Sequence, residues 1–420
     1  MRLLAAIAAA LALAPAAGAW TTIATGVQNT VVPSMLVTQN GTVLSSWESL
    51  VAGTIAVSRD HAAPTVVVSD DPTAGRTQLV QQPSGAIQLY FPNGQGVGRL
   101  TSTDDGETWT GPIQTQSRSV GPVMAAAVAP DGTTYFAQDG TSGVNVFRGL
   151  NGEYVKNVFP RCCGYAESLA VDTSGLVQIA FYSNADSDGT FLYERLGPDL
   201  SPSGSTPLKP TAPHDDRVPL VADHSGMTFM AWPPGYPTAT ELTVVPFRSG
   251  QPAGDGVTFR SPFTGGDPHS ALSVDSQNRL WAVWTGGGAV HAARSRSHGQ
   301  HFGAIVRPAV RGTLYQVSAV GTGGNPGTVD VIVNTGSSLL EQQLQPGLSV
   351  HVSRSKRNVR GKIVVIRVAQ ALDDGIGVPT AAFRVGGRTY HANSAGKARV
   401  PAGSGKAAAP GYVGASFRAR

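Results

Sequence analysis

The chain has 420 residues, 41% of them hydrophobic and 14% charged, with 51 glycines, 29 prolines and a net charge of +4. Abundant turn formers with few charges read as an all-β chain of short strands, and the length allows either two or three domains or one repeat architecture. Beyond the N-terminus no stretch approaches the roughly 20 apolar residues of a transmembrane helix, which excludes a helical membrane span.

Residues 1–19 read as a signal peptide. Arg2 is the positive n-region, Leu3 to Ala14 the apolar stretch and Ala17-Gly18-Ala19 a small-residue cleavage site. A chain starting at Trp20 is expected to be secreted and extracellular, either free or cell-wall associated. Its charge is divided unevenly. Residues 20–349 hold 17 Lys+Arg against 25 Asp+Glu, whereas 350–420 hold 13 against 2. An acidic body therefore carries a basic module, which an anionic cell-wall polymer, nucleic acid, the body itself or water alone can satisfy.

A repeat follows from chain order. Apolar runs interrupted by a turn residue extend over Val31 to Trp47 (turn at Gly41), Thr77 to Phe91 (Gly85), Val123 to Phe136 (Gly132) and Ser168 to Tyr182 (Gly175). Val218 to Trp232 (Gly226), Ser270 to Trp284 (Asn278) and Leu314 to Val333 (Gly327) continue it. Successive turns are 44, 47, 43, 51, 52 and 49 residues apart, the length that one four-stranded propeller blade needs. The expected fold is a seven-bladed β-propeller over 20–349, with six blades as the alternative, followed by a small β-sandwich over 350–420. The seventh unit runs only to about Leu344, so the segment from Trp20 is expected to supply its outer strand and close the ring.

Ser102-Thr-Asp104-Asp-Gly106-Glu-Thr108-Trp109 resembles the Asp box of sialidase-like (bacterial-neuraminidase repeat) propellers. In such a turn Asp104 accepts backbone N–H groups, Gly106 takes positive φ and Trp109 packs on the hairpin. Ser58 to Ala62 and Ser295 to Phe302 are partial copies; the second has Ser297 at the Asp position. Residues 350–420 resemble bacterial Ig-like or prealbumin-like modules, which implies display.

The first resemblance implies a ligand site on the face opposite the boxes. There Val31 stands where the family has a carboxylate-binding arginine and Leu50 where it has the next one, so sialidase chemistry is not expected. Arg76, Arg217 and His269 each precede their turn residue by nine positions, at the mouth of an inner strand. With Glu48 and Asp216 on nearby loops they are the candidate ligand contacts, for a glycan or another polar extracellular ligand. The alternative is a glycoside hydrolase using a carboxylate pair drawn from Glu48, Glu167, Asp216 and Asp267.

Two weaker signals remain. Asn184, Asp186 and Asp188 precede Gly189 with calcium-loop spacing, giving either a Ca²⁺ site or a polar turn. Cys162 and Cys163 are adjacent, about 3.8 Å between Cα atoms, leaving open a strained vicinal disulfide, free thiols or an intermolecular bridge. No phosphate loop, zinc spacing or nucleic-acid motif occurs; no nucleic-acid partner is expected, and a monomer is.

Overall fold

A computed structural model describes residues 19–49, 53–69, 75–117, 124–140, 143–159, 164–183, 190–207, 218–232, 241–260 and 269–420. These residues are all-β, and no helix among them is long and apolar enough to cross a membrane. Among the described residues seven antiparallel sheets follow one another from residue 21 to 344. Their innermost strands are Ser34–Val37, Gln78–Gln81, Met124–Val128, Gly164–Val171, Leu220–Ala222, Ser270–Val274 and Gln316–Thr322. Each contacts the next, and the seventh contacts the first.

The repeat period is visible in the backbone. Gly41, Gly85, Gly132, Gly175, Gly226, Asn278 and Gly327 all lie in the first hairpin turn of their sheets with φ between 61° and 91°. In the fourth and fifth sheets an aspartate anchors that turn: Asp172 Oδ1 accepts Ser174 N and Leu176 N, and Asp223 Oδ1 accepts Ser225 N and Met227 N.

One sheet cannot bury both of its faces, so the cores lie between sheets. Leu44, Ile55 and Val57 of the first meet Leu79, Leu89 and Phe91 of the second. Around the ring the same layering recurs, and Ile332 and Leu339 of the seventh meet Val31, Trp47 and Ala56 of the first. Burying one such side chain stabilises by about 1.5–3 kcal/mol, so each junction contributes in parallel.

Thr21–Thr25 pairs antiparallel with Ser338–Leu344 as the outer strand of the seventh sheet, as expected from that unit's missing strand. His61, on the third-to-fourth-strand turn of the first sheet, lies 3.0 Å from Glu341 and 3.5 Å from Asp330 of the seventh. The sixth sheet is irregular: its fourth position is held by the bridges Ala292↔Val306 and Ala289↔Ala309 instead of a continuous strand.

The Ser102–Trp109 turn has the hydrogen bonds its residue types call for. Asp104 Oδ1 accepts from Ser102 Oγ (2.8 Å) and Thr108 N (2.9 Å), while Ser102 Oγ accepts Gly106 N at 2.9 Å. The Thr108 hydroxyl and N–H, then Ser102, hold the Asp104 carboxyl down to about 2. Gly106 has φ +86°, and a Cβ there would stand 2.8 Å from Leu44 of the first sheet. Gly41 has φ +88° and open space. Gly106→Ala is therefore expected to cost about 2 kcal/mol and clearly more than Gly41→Ala, which isolates the inter-sheet contact from backbone strain when the two are compared by thermal unfolding.

Two further sheets follow. Ser349–Val359, Lys362–Asp373, Ile376–Gly377 and Lys397–Arg399 form one; Ala382–Val385, Arg388–His391, Gly403–Ala408 and Ala415–Ala419 form the other. They share a core of Leu348, Ala369, Ala371, Phe383, Val385 and Ala407. Ala382–Val385 and Arg388–His391 pair as a hairpin whose turn has Gly386 and Gly387 at positive φ; nothing in the sequence reading had marked Ser349–Val359 as a strand.

Candidate functional site

Where strands end determines what reaches the mouth of the ring. Glu48 was expected on a loop, but it lies in the strand Val43–Ser49 and is 1% exposed. The strand runs one residue beyond it, drawing the carboxylate in among the strand ends. Gly75 N donates to Glu48 Oε2 at 2.8 Å, and Oε1 meets no hydrogen-bond partner among the described residues. Burial pushes the Glu48 carboxyl up to about 7, and the Gly75 N–H offsets this only in part.

Arg76 directly follows Gly75 and is buried at the entry to the second sheet's innermost strand. His269 occupies the corresponding place before Ser270–Val274 in the sixth sheet, half-buried, its carbonyl accepting Thr285 N at 3.0 Å. Arg76 is thus the chain neighbour of the Gly75 whose N–H holds Glu48. Arg217 and Asp216 lie outside the described residues, as do Cys162, Cys163, Asn184, Asp186 and Asp188. Among the described residues no group of three or more His, Cys, Asp or Glu is arranged to hold a metal ion.

Below the mouth, hydroxyls knit the first two sheets. Ser46 Oγ lies 2.8 Å from Thr77 Oγ1, which also donates to Ser46 O, and Ser34 Oγ accepts Leu79 N at 3.0 Å. Val31, where the resemblance to sialidase-like propellers implies an arginine, is 2% exposed inside the apolar cluster between the seventh and first sheets.

A second concavity lies between the third and fourth sheets, on the face of the hairpin turns. It has a volume of about 660 Å³ and is lined by Asp131, Tyr135, Arg148, Glu153, Tyr154 and Asp199, among others. Arg148 sits 4.9 Å from the centroid of the Tyr154 ring and donates to Pro198 O at 3.2 Å; the Tyr135 hydroxyl donates to the same carbonyl at 2.8 Å. The Thr133 N–H holds Asp131 low, and the Ser201 hydroxyl holds Asp199 low, so both are ionised at neutral pH. An aromatic ring among ionised acceptors suits a polar ligand with an apolar face. Sequence reasoning missed this place because its residues come from turns of two repeats. The signal available was Glu153-Tyr154 immediately after the Asn151-Gly152 turn, an aromatic on an outer strand; Tyr154 is 43% exposed.

No family model and no curated protein matches the chain. Among solved structures, a streptogramin B lyase is similar at 13% identity and a TM-score of 0.50, over 77% of this chain and 96% of that one. Virginiamycin B lyase from Staphylococcus aureus gives 12% identity and 0.49 over 77% and 98%. A mutant Aleuria aurantia lectin in complex with Fucα1-6GlcNAc gives 12% and 0.45 over 76% and 93%. At such identity the likeness speaks for the fold alone: this chain is an all-β protein with a β-propeller fold.

Proposed function

We propose that the chain is an exported, seven-bladed β-propeller (20–349) of the sialidase-like type, followed by a small basic β-sandwich (350–420), and that it recognises a glycan or another polar extracellular ligand at the mouth of the ring without sialidase chemistry. The observation that carries this reading is Glu48: a buried carboxyl at a strand end, one oxygen held by Gly75 N–H and the other unpartnered among the described residues. Such a group suits a ligand hydroxyl or ammonium. The aliphatic Val31 supports the absence of sialidase chemistry, because it cannot bind a sugar carboxylate.

Arg76→Ala combined with Arg217→Ala is expected to abolish retention on a glycan array at low salt. Unaltered retention would remove the mouth as the site. A second reading, a glycoside hydrolase, is favoured by one fact: a carboxyl titrating at about 7 is a suitable general acid at neutral pH. Turnover in a panel of fluorogenic glycosides, abolished by Glu48→Gln, would establish it over binding alone.

A further inference from the structure

The strands Ser349–Val359 and Lys362–Asp373 pair along their whole length, from Ser349↔Leu372 to Val359↔Lys362. Their basal half is core: Val350, Val352, Ala369 and Ala371 pack with the second sheet. A third strand joins as far as Val368, opposite Arg399, and Val400 N donates to Arg367 O at 3.0 Å. Beyond it a two-stranded ribbon of five residue pairs, Ser355↔Ile366 to Val359↔Lys362, projects on its own, roughly 17 Å long at strand rise.

This ribbon is exposed on both faces, and it pairs cations with aliphatic side chains across its two strands. Ile363 is 70% exposed, Val359 45%, Val364 44% and Val365 39%. Lys356 lies opposite Val365, Arg357 opposite Val364, and Lys362 opposite Val359. Directly paired residues share a face and successive pairs alternate, so each face presents a cation beside an aliphatic side chain. Residues 350–420 contain only two carboxylates, Asp373 and Asp374. Both sit at the base of the hairpin, held by Arg294, Arg296 and Ser297 of the sixth sheet. Arg354 and Arg367, at the ribbon's base, donate to Arg420 O at 3.2 and 3.1 Å, whereas residues 355–366 contain no Asp or Glu to neutralise Lys356, Arg357, Arg360 and Lys362.

We infer that this ribbon is a docking element for an anionic lipid bilayer surface. A soluble polyanion would satisfy the cations but leave the aliphatic side chains in water on both faces. A second copy pairing edge to edge would set cations against cations. At a bilayer the cations meet headgroup phosphates while the aliphatics enter the interfacial region. The body, with 17 Lys+Arg against 25 Asp+Glu over 20–349, is repelled by the same surface and faces away from it. This inference is independent of what the mouth of the ring binds.

The test uses the full chain with vesicles of phosphatidylcholine alone, vesicles containing phosphatidylglycerol, and heparin as a soluble polyanion. Co-sedimentation is expected only with the anionic vesicles and is expected to weaken with salt. Lys356→Ala/Arg357→Ala/Arg360→Ala/Lys362→Ala should lower vesicle partition at least a hundredfold, at about fivefold per cation. Ile363→Ser/Val364→Ser/Val365→Ser should lower it about tenfold or more while leaving heparin retention unchanged. These side chains are exposed, so an unchanged thermal midpoint certifies the fold of both variants. Failure to bind anionic vesicles at low salt overturns the inference. So does a serine variant that binds vesicles as the parent does, or that loses heparin equally, which would assign the ribbon to a polymer or a nucleic acid.

Discussion

Asp373→Ala is expected to lower stability by about 3–5 kcal/mol, the cost of leaving one member of a buried ion pair alone. Arg294, in the strand Ala289–Ser295 of the sixth sheet, is 2% exposed and Asp373 is fully buried. The guanidinium donates to the Asp373 carboxylate and to Pro326 O, and lies 5.4 Å from the Trp281 ring centroid. The Tyr412 hydroxyl donates to the same carboxylate at 3.2 Å. Removing Asp373 strands a cation where water cannot reach it. The double variant Arg294→Met/Asp373→Leu should recover most of the loss, because an apolar pair owes no desolvation. Urea unfolding of the three variants, with limited proteolysis across 345–348, measures this. A single variant that loses under about 1 kcal/mol would mean that the pair does not hold the two-sheet module in place. Beside it, Asp374 Oδ2 accepts Arg296 N at 2.7 Å and the Ser297 hydroxyl at 3.0 Å. Ser297 stands where the complete turn has Asp104, so the C-terminal module returns a carboxylate to the turn that lacks its own.

That seam was not legible in the sequence, and the reason is separation. Asp373 and Arg294 are 79 residues apart, and no local pattern links an Asp-Asp-Gly loop to a decayed turn. The seven inner hairpins were legible because each needs a residue at positive φ, which leaves Gly or Asn at a regular interval. Ring closure was legible too, as a strand missing from one end and left over at the other. Ser349–Val359 escaped because its distal half buries neither face, so no alternation of apolar and polar residues marks it. Glu48 was expected on a loop, because a polar residue near a strand end reads as loop; the structure buries it in the strand, where the Gly75 N–H meets one of its oxygens.

The pH dependence should follow from that burial. Glu48 and Glu194 are pushed up to about 7 and Asp330 to about 6, in each case chiefly by burial. A carboxyl whose folded pKa exceeds its unfolded value favours the protonated fold. Its contribution is complete below the unfolded value near 4 and is lost as pH rises through the folded one. His61, raised by its hydrogen bond to Glu341, moves stability in the same direction. The carboxylates held low, Asp104, Asp131 and Asp199, act oppositely, as pH falls through their folded values, below this window. The thermal midpoint should therefore be highest near pH 5 and decline toward pH 8, with Glu48 alone accounting for about 2–3 kcal/mol. Glu48→Gln should match the parent at pH 5 and exceed it at pH 8, since the amide keeps an acceptor for Gly75 N–H without a buried charge. The same variant should lose the ligand or the turnover assigned to the mouth. Stability that is flat from pH 5 to pH 8 would remove the buried charge from the argument. A stabilised Glu48→Gln that still retains ligand would leave Glu48 as a structural group and move the search to the Tyr154 groove.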